Sequence, residues 1–149
     1  MKSYSDKIFI GTMSGTSHDG IDICSLSISN KKIKLLEFSS YKYPVSLKKD
    51  IANIIQHQEL GLRKYLELNK KIGTAFSKSI NRFIAKNYVN KNQILAIGLS
   101  GQTLFHAPKH KYPFSIQAGD PKIVSMECGI DVVSDFRNDH INLGGEGAP

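Results

Sequence analysis

The fold is decided by Ile8-Phe9-Ile10 and the stretch directly after it, Gly11-Thr12-Met13-Ser14-Gly15-Thr16-Ser17-His18-Asp19-Gly20-Ile21-Asp22. The apolar run predicts a buried strand, and the small residues and carboxylates after it predict a turn. Glycines at 11, 15 and 20 let the backbone approach a ligand closely, and hydroxyls at 12, 14, 16 and 17 suit phosphate oxygens. The stretch therefore favours phosphate binding over an ordinary Gly/Ser hairpin turn.

Two carboxylates in this stretch, Asp19 and Asp22, could hold a hydrated magnesium ion. No lysine follows the last glycine and an apolar strand comes next, so the pattern is neither the lysine-bearing phosphate loop nor the dinucleotide fingerprint. The order of strand, Gly/Ser/Thr/Asp turn and strand instead resembles the first hairpin of the actin-like sugar kinase and Hsp70 superfamily. Within that superfamily it looks like the opening signature of the anhydro-N-acetylmuramic acid kinases.

Three further segments resemble the same family and follow in its order. They are Ile97-Gly98 with Gly101-Gln102-Thr103, Gln117 with Gly119-Asp120, and Asp135-Phe136-Arg137 with Gly144-Gly145 and Gly147-Ala148-Pro149. The similarity runs from about residue 8 to the end of the chain, yet it covers less than half of a usual family member. The resemblance implies that residues 1–149 are the N-terminal part of an actin-like sugar kinase domain, with the rest of that domain and the second domain absent.

Apolar patterning predicts the order of elements. Three early strands, over residues 8–13, 21–29 and 33–40, should form an antiparallel meander. Helices follow over about 47–57, capped by Ser46, and over 62–87. A strand over 94–99, a helix over 121–128 that starts at Pro121, and a strand at Val132-Val133 come next. This βββαβαβ order matches an incomplete first domain of the α/β, actin-like ATPase class.

Three polar segments are predicted as turns at the carboxyl ends of strands, where open α/β sheets bind their ligands. They are Ser100-Gly101-Gln102-Thr103, Gln117-Ala118-Gly119-Asp120-Pro121 and Asp135-Phe136-Arg137. We expect Gly15 and Asp135 to converge on one edge of the sheet.

The composition is that of a soluble single domain without a nucleic-acid partner. The chain is 40% hydrophobic and 22% charged with a net charge of +7, but its 20 basic residues are scattered and only three are arginine. Cys24 and Cys128 lack metal-type spacing and are expected in the core. No apolar run is long enough for a membrane span or signal peptide, so we expect a cytoplasmic location and no membrane partner.

The histidines do not predict a metal site. His106 and His110 would face the same way only on a helix, but Pro108 lies between them and Pro113 follows, so the segment is predicted as a loop. His18 stands where the family usually has an apolar residue.

The resemblance implies a kinase that uses ATP and Mg²⁺ on 1,6-anhydro-N-acetylmuramic acid from cell-wall recycling, with water opening the anhydro bridge. Its nucleotide turn corresponds to Gly15, Thr16, Ser17, His18, Asp19, Gly20, Ile21 and Asp22, with Asp19 and Asp22 as magnesium ligands. Its sugar side corresponds to Gln102, Thr103 and Arg137, and Arg137 could pair with the lactyl carboxylate of the sugar.

Several positions depart from the family pattern. Leu99 and Ser100 replace a small residue and a histidine, Asn138-Asp139 replaces a basic run, His140 an acidic residue and Glu146 a glutamine. The family's catalytic base belongs to a segment beyond Pro149, so no catalytic residue is assigned here. Two hypotheses follow. The chain is the N-terminal piece of a sugar kinase, active when a complementary C-terminal chain supplies the rest, or it is a degraded, inactive fragment that binds nucleotide weakly at most.

Overall fold

The computed structural model describes residues 7–29, 32–87 and 89–147 as a six-stranded mixed sheet with four helices. The strands are β1 (Lys7–Ser14), β2 (Gly20–Ser29), β3 (Lys32–Lys42), β4 (Ile94–Ala107), β5 (Phe114–Ala118) and β6 (Val132–Ser134). The helices are α1 (Val45–His57), α2 (Leu62–Lys86), α3 (Pro121–Cys128) and α4 (Phe136–Asn142). The Ala148-Pro149 end of the fourth family segment lies outside the described residues.

The strand order places the carboxyl ends of β1 and β6 at one edge, on either side of the longer parallel strand β4. The sheet runs β3-β2-β1-β4-β5, with β6 also beside β4. β1, β2 and β3 form the predicted antiparallel meander. β1 and β6 both pair parallel to β4, so that Thr12, Leu99 and Ser134 lie level in the register. Gly15 and Asp135, which follow β1 and β6, therefore lie at the same edge of the sheet, as predicted.

Alternation along the strands divides the sheet into two faces. On the first, which we call the helix face, Ile10, Ile23 and Ile97 are at most 1% exposed beneath α1 and α2. α2 contributes four side chains that are 0% exposed and recur every three or four residues, as one face of a helix requires: Ile72, Phe76, Ile80 and Phe83. This face holds the hydrophobic core.

The second face, which we call the open face, also carries apolar side chains but leaves them exposed. Cross-strand pairs such as Ile28 with Ile33, and Cys24 with Phe38, lie on it. Six large apolar residues of this face are between 39% and 69% exposed, and we call them the open-face cluster: Met13, Ile28, Ile33, Leu35, Phe38 and Val133. In the described ranges no helix is both long enough and apolar enough to cross a membrane.

Three predicted details of the helices, turns and loops are wrong. Ser46 does not cap α1, because the helix begins at Val45 and the Lys48 amide already bonds the Pro44 carbonyl at 2.9 Å. Residues 100–103 are not a turn, because β4 continues through them and pairs with β5, which the sequence did not predict. The segment containing His106 is likewise part of β4, where its ring nitrogen lies 3.1 Å from the Ser115 hydroxyl.

The observed order is therefore βββααββαβα, with β5 and α4 added to the predicted elements. The start of α3 agrees with prediction, since Pro121 occupies its first turn and Asp120 caps it by accepting from the Lys122 amide at 2.9 Å.

Candidate functional site

Residues 15–19 connect β1 to β2 in a tight loop. We call this loop, together with Gly20 at the start of β2, the glycine turn. The His18 amide donates to the Gly15 carbonyl at 3.0 Å and closes it. His18 has φ of 45°, a left-handed conformation that few non-glycine residues adopt. Gly20 must lack a side chain, because an added Cβ would lie 2.3 Å from the Tyr41 carbonyl oxygen. The turn exposes Thr16 and its neighbouring hydroxyl to solvent.

A buried polar pair lies beneath the glycine turn. The Ser14 hydroxyl is 2.8 Å from the Gly20 carbonyl and 2.6 Å from Gln102 Oε1, and either oxygen can accept its proton. Gln102 Nε2 donates to the Gly15 carbonyl at 3.2 Å and to the Thr103 carbonyl at 3.1 Å. Since Gln102 is 0% exposed, its side chain supports the turn from inside the protein.

The two carboxylates predicted to bind magnesium face different partners. Asp19 pairs with Lys48 Nζ of α1 at 2.5 Å, and the hydrogen bond and charge of Lys48 lower the pKa of this carboxyl. Asp22 accepts from the Ser40 hydroxyl on the open face. No group of three or more potential metal ligands occurs among the residues that the structure describes. Magnesium in proteins is commonly bound by only one or two carboxylates, and phosphate and water oxygens supply its other ligands. Asp19 at the turn can provide one such carboxylate.

A cavity of about 370 Å³ opens at the same edge of the sheet. Its walls come from α2, β4, β5, the start of α3 and the residues around the start of α4. Eight polar side chains line it: Tyr65, Asn69, Ser100, Ser115, Gln117, Ser134, Asp135 and Asn138. Hydroxyl, amide and carboxylate groups that converge in a cavity of this size suit a small polar molecule.

Asp135 directly follows the last residue of β6 and is held in place there. It has φ of 69°, and a left-handed conformation costs a non-glycine residue free energy that the surroundings must offset. Its carboxylate accepts from Asn138 Nδ2 at 2.7 Å, and Asn138 bonds both the amide and the carbonyl of Ser115 at 2.8 and 2.9 Å. Asn138, which departs from the family pattern, thus fixes the carboxylate toward the cavity.

Two cavity residues on α2 were not identified from the sequence. Tyr65 donates to the Gln117 carbonyl at 3.4 Å, and burial followed by the negative charges of Asp135 and Asp120 raises the pKa of its phenol. Asn69 Oδ1 accepts from the Gly119 amide at 2.7 Å. Their signal in the sequence is a pair of polar groups four residues apart on the mainly apolar face of an amphipathic helix.

The three residues predicted on the sugar side do not line the cavity. Gln102 is buried under the glycine turn, and Thr103 Oγ1 donates to Gln117 Oε1 at 2.9 Å from behind the cavity wall. Arg137 lies on α4 and donates from Nη1 to the Gly147 carbonyl at 3.2 Å. The structure therefore brings the glycine turn and the cavity to one edge, with Gln102 and Thr103 as their internal support.

Comparison with known proteins identifies one family. A family model described as anhydro-N-acetylmuramic acid kinase matches residues 7–149. A curated protein of that name from Gamma-proteobacterium EBAC31A08 is 51% identical over 145 residues, which are 97% of this chain and 40% of that protein. Proteins of the same name from Sulfurimonas denitrificans and Actinobacillus pleuropneumoniae are 43% and 35% identical over 96% and 95% of this chain. The chain spans about 40% of the length of the curated relatives it matches.

Proposed function

The chain belongs to the anhydro-N-acetylmuramic acid kinase family, and from that membership we propose that it forms the phosphate-binding and sugar-binding part of a kinase acting on 1,6-anhydro-N-acetylmuramic acid. In this reaction water opens the 1,6-anhydro bond and the freed oxygen at carbon 6 takes the γ-phosphoryl group of ATP, which gives N-acetylmuramic acid 6-phosphate. The observation that carries the proposal is that the glycine turn follows β1 and the polar cavity surrounds the end of β6, both at one edge of the sheet on either side of β4.

The glycine turn supplies the contacts to phosphate. Backbone amides and hydroxyls of Gly15, Thr16 and Ser17 would hold the phosphate oxygens, because small residues let the backbone come close. Bound magnesium neutralises charge that develops on the transferred phosphoryl group. Asp19 would bind this ion directly once the ammonium group of Lys48 has moved away from its carboxylate. Asp22 would bind the ion through a water molecule. His18, Gly20 and Ile21 shape and anchor the turn, as the buried side chain of Ile21 indicates.

The cavity supplies the contacts to the sugar. Ser100, Gln117 and Asp135 present a hydroxyl, an amide and a carboxylate, which can pair with sugar hydroxyls and an N-acetyl group. Asp135 and Asn138 are held by each other and by β5, so this wall is organised before a ligand enters. Arg137 lies on α4 outside the cavity lining, so its pairing with the lactyl carboxylate requires the guanidinium to turn from Gly147 toward the cavity.

We propose that the remaining catalytic groups come from the part of the relatives that this chain does not cover. That part would be supplied as a continuation of the chain or as a complementary C-terminal chain. The general base is part of that contribution. The open-face cluster supports this proposal, since exposed apolar residues gathered on one face of a sheet mark interaction surfaces. Residues 1–149 alone are then expected to bind weakly and to lack turnover, as an inactive fragment would.

Titration of the isotope-labelled protein tests the two binding assignments separately. Magnesium ATP should shift the amide signals of Gly15, Thr16 and Gly20, with an affinity of about 1 mM or weaker because the relatives' remaining contacts are missing. The anhydro sugar should shift the signals of Gly101 and Asp135. The proposal is wrong if nucleotide shifts lie outside the glycine turn or if sugar shifts lie outside the cavity wall.

Two neighbouring substitutions on α4 form a matched pair for the sugar assignment. Asn138→Ala removes the amide that holds Asp135 and should abolish the sugar-dependent shifts. Asp139→Ala, one residue further on and outside the cavity lining, should leave them unchanged. Equal responses of the two variants would contradict the assignment of the cavity.

Complementation tests the role of the missing length. The protein alone should show no turnover with magnesium ATP and the anhydro sugar, because losing a general base commonly costs about 10² to 10⁴ in rate. Adding the C-terminal remainder of the Sulfurimonas denitrificans relative should restore measurable phosphorylation. Ligand binding without restored turnover would instead favour the inactive-fragment hypothesis.

A further inference from the structure

The pairing of β1 with β4 contains a bulge at the edge of the cavity. Thr12 lies opposite Leu99, but Ser14 lies opposite Gln102, so β4 has one extra residue in this interval. Gly101 lies in the bulge with φ of 70°, and an added Cβ would stand 2.8 Å from the Ala118 carbonyl oxygen. Bulges re-aim the side chains that follow them.

The bulge decides which face of the sheet Gln102 occupies. Three residues after Leu99, strict alternation would place Gln102 on the open face, opposite to Leu99. The extra residue instead turns it to the helix face beside Ser14, where it is 0% exposed. Ser100 and Gly101, which form the bulge, are themselves part of the cavity lining.

In this position Gln102 connects both ends of the glycine turn. Its Nε2 donates to the Gly15 carbonyl, the same oxygen that accepts the His18 amide. Its Oε1 lies within hydrogen-bonding distance of the Ser14 hydroxyl, which also lies next to the Gly20 carbonyl. A buried amide that donates to a carbonyl of the turn, and is itself held beside the hydroxyl that faces the other end of the turn, restricts the conformations open to that turn.

We propose that Gln102 is a positioning residue for the glycine turn, fixing the Gly15 carbonyl so that the turn is closed before any ligand binds. Gln102 acts through Gly15 and Ser14 and does not touch the ligand. The proposal rests on the proposed function only for the identity of that ligand, a nucleotide phosphate. The closure itself is a property of the ligand-free protein.

Hydrogen exchange of the His18 amide in the ligand-free protein measures this closure directly. Gln102→Met keeps a similar side-chain size but removes the hydrogen bonds of the amide to Gly15, Ser14 and Thr103, and should speed His18 exchange about five- to tenfold. Ser77→Ala is the control. Ser77 on α2 is as buried as Gln102, but its hydroxyl donates to Glu127 of α3 and not to the glycine turn. It should lower the melting temperature to a similar extent without changing His18 exchange relative to the core amides.

Ser14→Ala removes the hydroxyl that contacts Gln102 and is a smaller change than Gln102→Met. It should also accelerate His18 exchange, so the proposal can still be tested if Gln102→Met folds poorly. Unchanged His18 exchange in these variants, at melting temperatures matched to Ser77→Ala, overturns the positioning role.

A second measurement separates this proposal from the proposed function. Magnesium ATP affinity, followed by the Thr16 amide signal, should weaken in Gln102→Met by a factor similar to the gain in His18 exchange. Faster His18 exchange in a protein that does not respond to magnesium ATP at all would support the positioning role and refute the nucleotide assignment. Normal nucleotide binding with unchanged His18 exchange would refute the positioning role and support the nucleotide assignment.

Discussion

The helix face and the open face of the sheet are built from alternate residues of the same strands, yet their relation to solvent is opposite. Ile23 on the helix face is 0% exposed, whereas Phe38 on the open face is 58% exposed. Both faces are apolar, so the difference comes from α1 and α2, which cover only the helix face. Because burial of apolar area is the main stabilising contribution, the helix face carries most of the stability of these residues.

Truncating one phenylalanine in the core under the helix face and one on the open face should give the largest difference in unfolding free energy between the two faces. Phe76→Ala removes a side chain that is 0% exposed and should lower the free energy of unfolding by about 3 to 5 kcal/mol. Phe38→Ala, with the same change in size on the open face, should cost about 1 kcal/mol or less, because the ring is already half in water. Urea unfolding of both variants measures the two losses, and similar losses would show that the open face is covered in solution.

The two cysteines provide a chemical version of the comparison. Cys128 is buried between α2 and α3, and burial raises the pKa of its thiol from 9.0 to about 11. Since the thiolate is the nucleophile, alkylation at pH 8 should be at least about 100-fold slower at Cys128 than at a thiol of ordinary pKa. Cys24 on the open face is only partly buried and should react first.

Mass spectrometry of the alkylated peptides separates the two sites, and equal rates would mean that the α2–α3 contact opens readily. The raised pKa also has a consequence for stability. The neutral Cys128 thiol favours the folded state, so this contribution is present below pH 9 and is lost as pH rises toward 11.

A charged substitution on the open face should have a small effect on folding but a clear effect on the surface. Phe38→Lys is expected to change the free energy of unfolding by no more than about 0.5 kcal/mol while reducing the fluorescence of a bound apolar dye. Glu37→Lys, the adjacent residue on the opposite side of β3, adds positive charge without removing apolar surface and should leave dye binding unchanged. An equal loss of dye signal in both variants would assign that signal to charge.

The smallest expected effect concerns the ion pair between the glycine turn and α1. Lys48→Ala should return the pKa of the Asp19 carboxyl toward its ordinary value, as measured by a pH titration of the carboxyl signal. The pair stabilises the fold only above the unfolded-state pKa of Asp19, and that contribution disappears as pH falls through the lower folded value. Because both side chains are well exposed, we expect no measurable change in unfolding at pH 7. Identical titration of Asp19 with and without Lys48 would exclude the pairing.

Local patterns predicted the parts of the fold that depend on neighbouring residues. Alternation identified the meander, the apolar period identified α2, and Pro121 located the start of α3. β4 was cut short at Leu99 because its continuation depends on a left-handed Gly101 and on pairing with β5, neither of which an apolar run reveals.

The sequence predicted the glycine turn and the three segments that supply much of the cavity wall, but not the residues of α2 that complete that wall. The spacing of small residues identified the Gly15 turn directly. Tyr65 and Asn69 reach the cavity only through the packing of α2 against β5 and the start of α3, a contact between segments about 50 residues apart. The face occupied by Gln102 depends on the bulge, which reverses the outcome of simple alternation.

The hydrogen bond between Ser14 and Gln102 joins residues 88 positions apart, and this separation has a consequence for how the protein folds. The meander of β1 to β3 closes through short connections, whereas β4 can join β1 only after α1 and α2 have been made and the chain has returned. Closing such a long loop costs more entropy than forming a hairpin, so the β1–β4 seam is expected to form late. The glycine turn acquires its internal support only at that step, which makes phosphate binding a late marker of the folding reaction.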